Sequence, residues 1–374
     1  MQKVRFHPLF TLLLITLMVF GLMMIFSASS VKSLAQTDNK SMYLFFQKQL
    51  VNNILGVAAG IVVAMYPYTK WKKWIVWMNC VTILLLVLVG FTPLGIVVNG
   101  AKRWLNLGVQ FQPSELAKIV IIVTVAYLIS EAKKINKLNT AKSLGKIGLY
   151  IISMGALIGV PQNHASVVMI LILVSGVMLY FAGINRILFF GAVLSGIAIG
   201  ALTILTSEFR RERVLTFIDP LADKMGDGYQ ITQNWYALGS GELFGIGLGL
   251  GRQKFGWLPE NHTDFILGVI GEELGYMGVL FVILIFVFLY IFGTTIALNA
   301  RDDFGVLLVM GVMLIILFQA SINMAVISGL FPVTGMPLPF ISYGGTSNII
   351  MCMMMGVVYN VYSHTTNEIE KSNK

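Results

Sequence analysis

Charge is scarce in this chain. Only 11% of its 374 residues are Asp, Glu, Lys or Arg, against about 25% in soluble globular domains. Hydrophobic residues make up 57%, and the mean hydropathy is +0.81. An ordinary soluble domain is excluded, and domain counting by length does not apply. Cysteine is nearly absent. Cys80 and Cys352 both fall inside apolar stretches, which argues for small core hydrophobes and against a disulfide or metal pair. The four histidines, His7, His164, His262 and His364, have no metal-ligand spacing. A Walker-type phosphate loop and a nucleophile elbow are both missing. The glycines between 245 and 251 follow no strand pattern, which excludes a dinucleotide fingerprint. The net charge of +9, in a chain this apolar, reflects topology and anionic lipid and not nucleic acid.

What the sequence has in abundance is long apolar runs. About 20 mostly apolar residues cross a bilayer as a helix. Ten such segments are predicted, at about 9–28, 50–68, 74–91, 114–130, 147–160, 166–183, 187–206, 265–297, 305–329 and 346–363. The expected fold is an all-α polytopic membrane protein, one integral domain over 1–374. The first run follows Lys3 and Arg5 and precedes Ser27-Ala28-Ser29, which resembles a cleavage site. It is longer than a signal-peptide core of about 7–15 residues and is read as a retained helix. Lys70, Lys72, Lys73, Lys133, Lys134, Lys137, Lys142, Lys146, Arg186, Arg301, Lys371 and Lys374 then share one side. By the positive-inside rule that side is cytoplasmic, with both termini and a tail at about 364–374. The opposite side carries a long loop at about 207–264. Its aromatics and glycines suggest segments packed on the helices at the interface.

The polar residues that break the apolar pattern are few. Asp264 stands where the long loop meets an apolar helix, with no cation beside it in sequence. A carboxylate costs roughly 2.5–3.5 kcal/mol at a membrane-helix centre and less near the interface, so its position needs a reason. It suits a helix N-cap and a catalytic carboxylate equally. Gly268, Gly271 and Gly275 project within about 40° of it, as a shallow groove or as a close helix contact. Glu272 flanks that face and Glu273 points opposite; at this depth both need polar or cationic partners. Pro113 and Ser114 mark a helix start. Glu115 and Lys118 share one face and can pair, whether to fix two helices or to meet a substrate. Lys102, Arg103, Arg210, Arg211 and Arg213 are basic residues on the outer side. They suit an anionic ligand, or pairing with Glu208, Glu212 or lipid headgroups. The stretch from Pro332 to Ser347 carries three prolines and three glycines. It is expected to form a re-entrant loop before the last helix, since irregular backbone at this depth needs burial or a wet cavity.

Taken together these segments resemble the SEDS family, the FtsW, RodA and SpoVE proteins. The resemblance rests on Asn99–Leu105, Phe111–Glu115, Arg213–Pro220, Gly228-Tyr229-Gln230 and Gly245–Gly249. Leu258–Ile266, Gly271–Gly275 and Pro332–Ser347 complete it. Ile322-Asn323 and Pro332–Gly335 look slightly more like FtsW. One block departs: Pro161-Gln162-Asn163-His164-Ala165-Ser166 stands where the family often has an acidic Pro-Asp pattern. The resemblance implies a glycosyltransferase that polymerises lipid II into peptidoglycan at the outer face of the bacterial cytoplasmic membrane. It implies a class B penicillin-binding protein as partner, alongside other division or elongation proteins and membrane lipids. It places the family's proposed catalytic aspartate at Asp264. The expected substrate contacts are Lys102, Arg103, Glu115, Lys118, Arg213, Glu260, His262, Thr263, Glu272 and Ser342. No metal ligands and no cofactor are read from the sequence; a divalent cation, Mg²⁺ or Mn²⁺, stays open as a second source of positive charge. A flippase for lipid-linked precursors and a scaffold without catalysis are the competing functions.

Overall fold

The computed structural model describes residues 2–98, 101–106, 110–205, 208–222, 226 and 228–372. Side chains at 98, 197–204, 208–210, 213, 214, 371 and 372 fall outside that description, as do Asn99, Gly100 and Lys374 altogether. The chain begins with α1 (Pro8–Gln36), α2 (Leu44–Met65), a 3-10 helix (Tyr68–Lys73) and α3 (Ile75–Phe91). After a small sheet come α4 (Pro113–Lys134), α5 (Ala141–Gly159), α6 (Ala165–Ala182) and α7 (Arg186–Leu205). The long loop holds α8 (Glu208–Ile218) and α9 (Tyr229–Ser240). The chain ends with α10 (Ile266–Leu298), α11 (Asp303–Ile327) and α12 (Gly345–Ser372). Each of the ten apolar segments expected to span falls on a helix. Among the described residues six helices are long and apolar enough to cross a membrane: α1, α2, α5, α6, α10 and α11. The protein is mostly helical and built for a membrane.

The all-α expectation needs one correction. β1 (Gly95–Val98), β2 (Ala101–Asn106) and β3 (Gln110–Phe111) form a three-stranded antiparallel sheet, in that order. Ile96-Val97-Val98 is a β-branched run that fits a pleated surface. Ile96 pairs with Trp104, and a bulge before Val97 sets it opposite Lys102. Leu105 pairs with Phe111. The sheet leads straight into α4. There Pro113, in the first turn, needs no hydrogen-bond acceptor, and Glu115 meets the positive helix end.

α11 is buried along most of its length, and α10, α4, α6 and α12 pack around it. α12 lies along α2. The two ends of the bundle differ. At one end Arg5 pairs with Glu370, Lys133 with Asp303 at 2.6 Å, and Arg301 with Glu368 at 3.5 Å. Gln2 Nε2 donates to Asn360 Oδ1 at 3.0 Å, so the N-terminal segment and the end of α12 lie together. At the other end are the sheet, α9, the loop before α10 and the irregular segment before α12.

α10 is broken. Gly275 has φ 68° and ψ −166° inside it, a conformation only glycine adopts readily. The break frees amide groups, and the long loop supplies their acceptors: Tyr276 N donates to Glu242 O and Met277 N to Leu243 O, at 2.9 and 3.1 Å. The glycine face of α10 is a helix contact and not a groove. A Cβ on Gly268 would lie 2.2 Å from Asn234 Oδ1, and one on Gly271 2.4 Å from Leu238 Cδ2, both on α9.

Candidate active site

A cavity of about 1460 Å³ opens at the sheet end of the bundle, between β2, the heads of α2, α4 and α6, the loop before α10 and the irregular segment before α12. Arg103, Glu115, Lys118, Glu260, Thr263 and Asp264 line it together. These are six of the eleven site residues expected from sequence, drawn from three separate stretches of chain.

Asp264 is held by its backbone and leaves its carboxylate to the cavity. Glu260 takes a left-handed φ of 51° and turns the chain back on itself. Its carbonyl accepts from Thr263 N and Phe265 N, both at 3.2 Å. The Thr263 hydroxyl donates to Glu260 Oε2 at 2.7 Å. Asn323 on α11 donates to Asp264 O and to Met336 O, each at 2.8 Å, tying the turn to the irregular segment. α10 starts only at Ile266, its N-cap residue is Phe265, and no side chain caps it; Asp264 is therefore not the cap. Burial raises the Asp264 pKa to about 7, the negative Glu260 pushes the same way, and Arg103 opposes both. A carboxyl group poised near neutral pH is suited to take a proton.

Arg103 projects from β2 into the same cavity. Its Nε donates to Gln162 O at 3.3 Å and its Nη2 to Asn163 O at 2.8 Å. Glu115 and Lys118 form the expected ion pair at 2.7 Å, with both side chains almost fully buried. Lys118 also donates to Gln319 Oε1 at 3.0 Å, and Ser347 donates to Glu115 Oε2 at 3.0 Å. Gln319 in turn donates to Pro337 O at 2.8 Å. This chain of polar groups joins α4, α11, the irregular segment and α12. It satisfies charges that would otherwise be costly at such depth.

Four expected contacts lie away from the cavity. Lys102 runs along β1, where a Cβ on Gly95 would meet its Cε at 2.6 Å. His262 is buried, 4.7 Å from the Phe45 ring and 5.7 Å from that of Tyr343. Burial lowers its pKa to about 4, so it packs as a neutral ring. Glu272 is pulled to the far side of α10, where its carboxylate accepts from Arg252 N at 2.7 Å and Gln253 N at 3.3 Å. Ser342 spends its hydroxyl on Thr263 O at 2.6 Å and accepts from Leu338 N at 2.8 Å, bracing the loop that carries Asp264. The Arg213 side chain lies outside the described residues. Glu273 meets the cation its depth requires, Lys254 at 2.9 Å, with Ser27 donating to the same carboxylate. Gln112, His164, Gln230 and Gln319 also line the cavity, though none is among the substrate contacts expected from sequence. For Gln319 the available signal was a glutamine inside the mostly apolar α11. His164 is held neutral, its pKa pushed well down by burial and then by Arg103 and Lys118. Among the described residues no three His, Cys, Asp or Glu side chains converge to hold a metal ion.

The family model for FtsW, RodA and SpoVE, described as "Cell cycle protein", matches residues 7–367. The chain belongs to that family. It is 38% identical to the probable peptidoglycan glycosyltransferase FtsW of Trichlorobacter lovleyi, over 94% of this chain and 91% of that protein. It is 37% identical to stage V sporulation protein E of Bacillus subtilis, over 94% of each. Its fold matches a chain from a structure described as "Structural coordination of polymerization and crosslinking by a peptidoglycan synthase complex". The TM-score is 0.79 at 22% identity, covering 97% of this chain and 99% of that one.

Proposed function

We propose that this FtsW/RodA/SpoVE-family member is a peptidoglycan glycosyltransferase that polymerises lipid II at the outer face of the cytoplasmic membrane. Relatives bearing that name span nearly the whole chain at 38% identity. The observation that carries the reading is the pairing, in one cavity, of a carboxyl group poised near pH 7 with a guanidinium. The acceptor's sugar hydroxyl loses its proton to Asp264 as its oxygen bonds to the donor's anomeric carbon. The bond from that carbon to the pyrophosphate oxygen breaks, and the leaving polyprenyl pyrophosphate takes the electron pair. Arg103 steadies the developing charge. Attack from the face opposite the leaving group inverts the anomeric centre.

The cavity lies at the end of the bundle away from the Lys-rich segments, as substrate on the outer leaflet requires. The partner is a class B penicillin-binding protein that crosslinks the product, in line with the polymerisation and crosslinking named for the structural relative. Transport fits less well. The deepest charges are consumed in fixed pairs, Glu273 with Lys254 and Glu115 with Lys118, and do not lie free along a path.

The test is glycan synthesis from purified lipid II, with and without the partner. Asp264→Asn should fold and bind the partner yet lose about 10²–10⁴-fold in rate. Wild-type rates from that variant would remove Asp264 as the base.

A further inference from the structure

The block that departs from the family pattern, Pro161–Ser166, touches the site through its backbone. Arg103 donates to two successive carbonyls, those of Gln162 and Asn163. Successive carbonyls of an extended chain point to opposite sides. They turn the same way only when the residue between the two peptide planes leaves the extended region. That residue is Asn163, and it does so through a left-handed φ of 47°. Asparagine tolerates this region and glycine is at ease in it, whereas a β-branched residue there is a strained outlier.

We infer that Asn163 is a positioning residue for the glycosyl transfer: its left-handed backbone aims the Gln162 and Asn163 carbonyls at one edge of the Arg103 guanidinium and so fixes that cation in the cavity. The inference rests on the glycosyltransferase reading. Asn163 acts through Arg103, and its own side chain is exposed. The sequence of this block can then vary so long as the residue at its centre accepts the left-handed region.

A positioning role has a signature in pH. Arg103 holds down the pKa that burial and Glu260 raise at Asp264. Glu115 and Lys118 from α4, His164 at the head of α6 and Lys48 from α2 line the same cavity. α11 adds the Gln319 amide to the lining, and its Asn323 amide holds the Asp264 carbonyl. Loosening Arg103 while these stay in place moves the acid limb of the rate profile to higher pH.

The experiment measures polymerisation of lipid II by the full chain with its partner, across pH. Asn163→Val should lower kcat/KM by about 10–100-fold and shift the acid limb upward, while Asn163→Gly restores both. Arg103→Lys keeps the charge but lacks the paired edge, so adding Asn163→Val to it should change little further. Asn163→Ala repeats the comparison with less strain if the valine variant folds poorly. Equal losses from Asn163→Val or Asn163→Ala in the wild-type and Arg103→Lys backgrounds would overturn the role, as would a glycine variant no better than valine. Each of these leaves the glycosyltransferase reading standing. A wild-type complex that makes no glycan from lipid II removes both.

Discussion

Depth sets the acidity of Asp264 first, and its charged neighbours then adjust it. Burial lifts its pKa toward neutrality, and the carboxylate of Glu260, in the same turn, lifts it further. A general base works only when ionised, so polymerisation should fall as pH drops below about 7 and level off above it. Glu260→Gln removes the charge that raises the pKa while keeping an acceptor for the Thr263 hydroxyl. The acid limb should then move to lower pH. A pH–rate profile of both proteins on lipid II checks this, and an unmoved limb would mean that Glu260 serves the turn alone. The direction is opposite to that expected when Arg103 is loosened, so the two neighbours can be told apart in one type of measurement.

At the scale of elements, the break in α10 matters most. It lets the long loop dock by hydrogen bonds onto a membrane helix, and Glu272 and Glu273 hold the loop from below. Gly249 N donates to Glu273 Oε2 at 3.0 Å, and Lys254 returns to the same carboxylate. Lys254→Met leaves Glu273 buried without its cation and should cost about 3–5 kcal/mol. Adding Glu273→Gln should recover part of the loss. Thermal unfolding of the solubilised protein measures both; an unchanged midpoint for the single variant would show that the pair is not stabilising. Contacts of this kind mark what was legible in the sequence. Glu115 with Lys118 could be read from a three-residue spacing, because helix geometry alone brings them together. Lys254 with Glu273 could not, because the loop's path decides it. The glycine face could be read as packing or as a groove, and the choice depended on α9, whose approach no periodicity announces. The sheet escaped notice because its strands are short and one side is irregular. Asp264, Arg103 and Glu260 were legible as residues, but their convergence was not.

Over the whole molecule, the long apolar segments made the helices easy to place. The positive-inside pattern assigns a side to each end without revealing that the two are built differently. The terminal end is laced by exposed ion pairs worth little each, and the cavity end by buried hydrogen bonds. If the basic end is cytoplasmic, a membrane-impermeant maleimide should label Phe255→Cys in intact cells and leave Arg5→Cys untouched, with Cys80 and Cys352 replaced beforehand. Labelling of both, or of Arg5→Cys alone, would reverse the assigned orientation.

The packing of α12 along α2 has a consequence for biosynthesis. Tyr343, Gly344, Gly345 and Ser347 complete a cavity wall begun by Gln47, Lys48 and Asn52 almost three hundred positions earlier. A ribosome inserting this chain delivers α12 long after α2, so the cavity wall closes only when that late helix is in place. Until then the face of α2 that α12 covers stays open in the bilayer.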